Sequence, residues 1–197
     1  MSNLDHVAYF EDLEKQAHAA RLGMWVFLAS ELLLFAALFA LYASGRAAYP
    51  DAFSEAVHHN TKILGSVNTG VLLLSSYAVA SSLNALREGR QRRTVVLLGI
   101  TIALGLVFLI IKVTEYAEHF REGIFPGQVQ FWTLYYMMTG LHALHVIVGM
   151  IILTVMLVKV SRGSEHAGRT HVLANAAVYW HLIDVIWIFL WPLFYLA

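Results

Sequence analysis

The chain alternates long apolar runs with short polar breaks. Apolar stretches of ~20 residues cross a ~30 Å hydrocarbon core as helices. Five such runs are present, over residues 22–42, 63–86, 94–116, 131–160 and 174–195. The first, "LGMWVFLASELLLFAALFALY", follows an acidic segment holding Asp5, Glu11, Asp12 and Glu14. A cleaved signal peptide has a shorter apolar run behind a basic start, so this run reads as a span. The "FPGQ" turn at 125–128 separates the third and fourth runs. The pattern predicts an all-α polytopic membrane protein, with a single transmembrane domain over residues 1–197 built as a bundle of five helices.

Lysine and arginine in the loops orient such a bundle, because cytoplasmic loops carry the excess. With the N-terminus inside, the inner segments hold Lys15, Arg21, Arg87, Arg90, Arg92, Arg93, Lys159, Arg162 and Arg169. The outer segments hold Arg46, Lys62 and Arg121. This asymmetry predicts N-terminus in and C-terminus out, with "REGRQRR" at 87–93 as the decisive loop.

Composition agrees with a bilayer as solvent. Hydrophobic residues make up 59% of the 197, charged residues 13%, and mean hydropathy is +0.64. Soluble proteins carry roughly 25% charged residues. The formal net charge of zero gives no reason to expect a nucleic-acid partner. The absence of cysteine excludes disulfides, thiolate metal sites, iron–sulfur clusters and covalently attached c-type haem.

Polar groups inside the spans need partners or a purpose, since a charge at the bilayer centre costs roughly 2.5–3.5 kcal/mol on insertion scales. Glu31 stands in the first span. Lys112 and Glu115 stand in the third, with His119 just beyond its end. Their three- and four-residue spacing makes an ion-paired stripe available on one helix face. The fourth span holds His142 and His145 in "TGLHALHVIVG", and the fifth His181 and Asp184 in "YWHLIDVIW". Residue chemistry leaves two readings of these four. They bond one another and specify packing, or they hold a haem or a mononuclear metal. Two histidines three apart on one helix cannot both be axial ligands of one haem, and no span contains the Glu-x-x-His of a di-iron bundle. Span two, "GSVNTGVLLLSSYAVASSLNALR", is rich in the small residues that let membrane helices approach closely.

Several motifs in order resemble subunit III of the haem–copper respiratory oxidases. They are "GMWVFLASELLLF" (23–35), "NTGVLLLSSYAVA" (68–80), "KVTEYAEHF" (112–120), "TGLHALHVIVG" (139–149) and "YWHLIDVIWIFL" (179–190). The chain is similar to the short bacterial form, whose five helices lack the first two of longer members. The resemblance implies a subunit with no catalytic residue, metal or cofactor of its own, packed on subunit I beside subunits II and IV. Haem and copper are expected in those partner subunits. It further implies residence in a bacterial inner membrane, phospholipid in a cleft between helix groups, and support of proton uptake and catalytic lifetime. Glu31 would be the family's buried, proton-related carboxylate. His142, His145, His181 and Asp184 would be a structural polar cluster. Lys112 stands where longer members usually have Gln. Quinol-oxidising members often carry Asp at the Glu31 position, which tips the reading toward cytochrome c oxidase. A quinol oxidase and the related membrane protein associated with nitric oxide reductase remain alternatives.

Overall fold

The computed structural model describes residues 3–163 and 170–196, with side chains for residues 15, 18, 19 and 21 onward among them. Arg169, which the orientation argument counts, and Ala197 lie outside the described residues. Among the described residues six helices follow in order: α1 (Asn3–Ala48), α2 (Pro50–His59), α3 (Lys62–Arg87), α4 (Gln91–Arg121), α5 (Gln130–Ser161) and α6 (His171–Tyr195). All but α2 are long and apolar enough to cross a membrane. The protein is all-α and multi-pass. The five predicted spans sit inside α1 and α3 to α6, whose ends extend past the apolar runs into polar residues.

The chain divides into two compact units, Met1–Leu34 and Phe35–Ala197. In the first, apolar side chains such as Trp25, Leu32 and Leu33 are exposed. Such a surface suits lipid or another subunit, since lipid tails are as apolar as leucine.

In the second unit, buried positions recur with a period near 3.5. Gly65, Asn68, Leu72, Ser75, Val79, Ser82 and Leu86 face inward on α3, and Thr94, Leu98, Thr101, Gly105, Phe108, Lys112, Glu115 and His119 on α4. That period is the seam of left-handed helix pairs. Small residues on the seam admit large ones. A Cβ on Gly105 would lie 3.0 Å from Trp180 Cη2, and one on Gly149 2.8 Å from Trp180 Cε3. The indole of α6 thus fills a slot between α4 and α5, and its Nε1 donates to Ser75 Oγ of α3 at 3.0 Å.

Helix ends close by local chemistry. After α3 the chain turns through Gly89 at φ +71°. The Gly89 N–H reaches the Leu86 carbonyl and the Arg90 N–H the Ala85 carbonyl, the double bond of a Schellman cap. Gly123 at φ +77° ends α4 in the same way, with Ile124 N–H on the His119 carbonyl. The last carbonyls of α6 are taken by side chains: Tyr42 Oη donates to Leu193 O at 2.6 Å, and Asn60 Nδ2 to Phe194 O at 2.8 Å.

The short helix α2 is absent from the reading of apolar runs because ten residues cannot span a bilayer. Its signal is local. Pro50 opens it, Asp51 occupies its first turn, and Phe53, Ala56 and Val57 form one buried face. Phe53 packs edge-on against Tyr42 and Phe131, with ring centres 5.3 and 5.5 Å away.

Candidate functional site

The densest polar group in the membrane-spanning region belongs to α4, α5 and α6. Lys112 lies nine residues from the C-terminal end of α4, about 14 Å at 1.5 Å per residue. It is 2% exposed, as is Glu115 one turn on. Lys112 Nζ donates to Glu115 Oε2 at 3.2 Å, Tyr135 Oη at 2.9 Å and Tyr195 Oη at 3.0 Å. Each tyrosine hydroxyl in turn donates a hydrogen bond to Glu115 Oε1 at 2.6 Å.

An ammonium has three N–H donors and all three are used, while the carboxylate receives three bonds. The charges cancel within one closed network. Burying ions costs several kcal/mol each, offset only when geometry and further hydrogen bonds are good. Here both conditions hold. The rings of Tyr135 and Trp187 also lie 4.8 and 5.6 Å from Nζ, within cation–π range. Three helices meet through this network, so its chemistry is that of a fastener.

The ion-paired stripe expected on α4 is therefore present for Lys112 and Glu115. The pair faces the interior of the bundle. His119 does not join it. Its ring packs against Trp132 and Tyr135 at 5.0 and 5.5 Å, and its Nδ1 has no hydrogen-bond partner among the described residues. Tyr135 and Tyr195, which complete the network, are absent from the sequence-based site. Both lie in apolar runs near the same end of the bundle as Glu115, and that shared level is the signal available in the sequence.

The four residues expected to form one polar cluster have the following surroundings. His142 is wholly buried between Phe108 and Trp187, with ring centres at 5.5 and 5.2 Å. Neither of its nitrogens has a partner among the described residues. His145 Nδ1 meets the Leu141 carbonyl at 2.8 Å, and its ring packs edge-on against Phe35. His181 Nδ1 pairs with Ser76 Oγ on α3 at 2.6 Å. Asp184 is buried, and neither carboxylate oxygen makes a hydrogen bond of good geometry among the described residues, though the Ser76 hydroxyl that meets His181 stands close to it. Spacing fixes only which residues share a helix face, and each of these meets whatever the facing helix presents there.

Glu31 belongs to the unit Met1–Leu34 and is half-buried. Leu32 and Leu33 beside it are 54% and 70% exposed. Among the described residues, no three His, Asp or Glu side chains converge with metal-binding geometry.

Fold and site define a class: a multi-pass helical membrane protein whose interior polar groups fasten helices to one another. A family model of cytochrome c oxidase subunit III matches residues 14–197. The chain belongs to that family. It is thereby part of an oxidoreductase complex and associates with other oxidase subunits. Over 178 residues it is 29% identical to a Staphylococcus epidermidis protein named "Probable quinol oxidase subunit 3", covering 89% of this chain and 88% of that one. A Staphylococcus aureus protein of the same name is 28% identical over the same shares.

Proposed function

We propose that this chain is the non-redox subunit III of a proton-pumping haem–copper terminal oxidase in a bacterial inner membrane. It packs on subunit I beside subunits II and IV, binds phospholipid, and supports proton uptake and catalytic lifetime. Haem and copper belong to the partner subunits. The observation that carries this reading is the closed Lys112–Glu115–Tyr135–Tyr195 network, in which two buried charges serve helix packing. His142, His145 and His181 are likewise engaged by rings, a carbonyl and a serine.

Two donors are in view. Glu31 in place of Asp favours cytochrome c. The names of the Staphylococcus relatives favour a quinol. Oxygen uptake by the purified complex, driven separately by ferrocytochrome c and by a quinol, decides between them. The same complex tests the role of the subunit. Glu31→Gln is nearly isosteric and permanently neutral. It should assemble, lose carbodiimide labelling of this chain, and keep most initial oxygen reduction. Turnover lifetime or proton uptake should fall modestly. Complete loss of turnover in a fully assembled variant would instead make Glu31 an obligate proton carrier. A stoichiometric haem band in the isolated chain would overturn the non-redox reading.

A further inference from the structure

The turn between α3 and α4 concentrates positive charge where two helices leave the apolar core. Residues 87–93 hold four arginines against one glutamate, a net charge of +3. The glutamate is engaged locally, with Glu88 Oε2 3.1 Å from Arg90 Nη1. Arg87, Arg92 and Arg93 are exposed. α4 starts here with no acidic residue in its first turn and no side-chain cap, so its first amides add to the positive potential.

Beside these groups lies an open groove of about 680 Å³, lined by Arg90, Gln91, Arg92, Arg93, Val96 and Leu97. Gln91 steadies it, its Nε2 donating to the Val160 carbonyl at the end of α5. Beyond the groove the exposed surface of α4 stays apolar. Val96, Ile100, Val107 and Ile110 are all exposed. Their spacing, with Ala103 between, keeps them on one face of α4. Cationic groups at the end of a span thus continue directly into an apolar stripe running along it.

We propose that this groove binds an anionic phospholipid, its phosphodiester held by Arg92 and Arg93 and an acyl chain lying along Val96, Ile100 and Val107. A guanidinium matches a phosphate with two parallel hydrogen bonds. Clustered basic residues at the end of a span attract anionic headgroups, at about 1 kcal/mol per residue. A soluble anion would use the charge and leave the stripe without a role. A lipid uses both. The site differs from the cleft between helix groups that the family resemblance implies, since it is built from one interhelical turn and the exposed face of α4. It rests on the membrane-spanning reading of α3 and α4 and does not depend on the oxidase reading.

The test uses the full-length protein in the complex with which it purifies. The complex is reconstituted in phosphatidylcholine bilayers with rising phosphatidylglycerol, and tightly held lipid is counted by native mass spectrometry. Phosphatidylglycerol should be retained over phosphatidylcholine, with retention falling as salt rises. R92Q/R93Q should weaken phosphatidylglycerol binding roughly 30-fold, and R92K/R93K should keep most of it. Loop arginines also orient the spans, so a second variant leaves them intact: Val96→Trp, which fills the groove, should lower retention by itself. Equal retention of the two lipids by the wild type would overturn the proposal. So would unchanged binding in both R92Q/R93Q and Val96→Trp. Full displacement of the lipid by millimolar inorganic phosphate would show a free-anion site instead. None of these readouts uses oxygen turnover, so failure here is separable from failure of the oxidase reading.

Discussion

Lys112 and Glu115 illustrate how two charges come to rest inside a membrane protein. Each is 2% exposed; Lys112 uses all three of its donors and Glu115 accepts three bonds, each from the other and from two tyrosines. Removing one member leaves its partner charged and buried, which typically costs about 3–5 kcal/mol. Glu115→Gln alone should therefore destabilise strongly. Lys112→Met with Glu115→Gln removes both charges at similar volume and should cost less than Glu115→Gln alone. Thermal dissociation of this subunit from the complex reads the difference as a double-mutant cycle. A double variant weaker than either single would show that the charges themselves stabilise the bundle. Asp184 predicts the opposite behaviour. Its carboxylate makes no hydrogen bond of good geometry among the described residues, with the Ser76 hydroxyl close by, so Asp184→Asn, which keeps an acceptor oxygen toward Ser76, should lose little. The variant should assemble and melt as the wild type does. A marked loss of the subunit from the complex would reveal a role that packing does not explain.

Helices α3, α4 and α5 work by matching small residues to large rings. Gly149→Ala would place a methyl 2.8 Å from Trp180 Cε3 and 3.1 Å from Ile183 Cδ1. Overpacking of this kind costs about 1–3 kcal/mol. Gly70→Ala meets nothing within 4 Å and should be neutral or stabilising by helix propensity. Thermal unfolding of the two variants should differ in sign or by at least that margin. At this scale the sequence was informative where length and hydropathy decide the outcome. Five apolar runs gave five spans, because in lipid the backbone must bond within a helix. The period-3.5 seam of α4 was also written in the chain, yet Lys112, Glu115 and His119 invite reading as a helix end because they are polar. What identifies them as interior is the regular continuation from Leu98 through Thr101, Gly105 and Phe108. The partners of His142, His145, His181 and Asp184 were not legible. Spacing along one helix says which residues share a face and nothing about which helix that face meets. α2 was hidden for a different reason, since its buried face is three residues long and its stability comes from aromatic neighbours distant in sequence.

For the whole molecule, the loop charges predict a definite placement in the membrane. A reporter fused after Arg93 should read cytoplasmic and one fused after Ala197 periplasmic; the reverse at either site would refute the arrangement. Packing is uneven along the chain. Only 17% of the most apolar stretch of the first span is buried, against 50% for α6. α6 brings Trp180 to its slot between Gly105 and Gly149, Trp187 to His142, and the Tyr195 hydroxyl to Lys112 and Glu115. The ribosome makes α6 after α3, α4 and α5. Those three helices therefore enter the bilayer with their common seam vacant and a charged pair short of one hydroxyl. This core closes only once the 25-residue α6 has followed them. Packing consequently trails insertion, and a premature stop within α6 would yield an inserted product fit for proteolytic quality control and unfit for assembly.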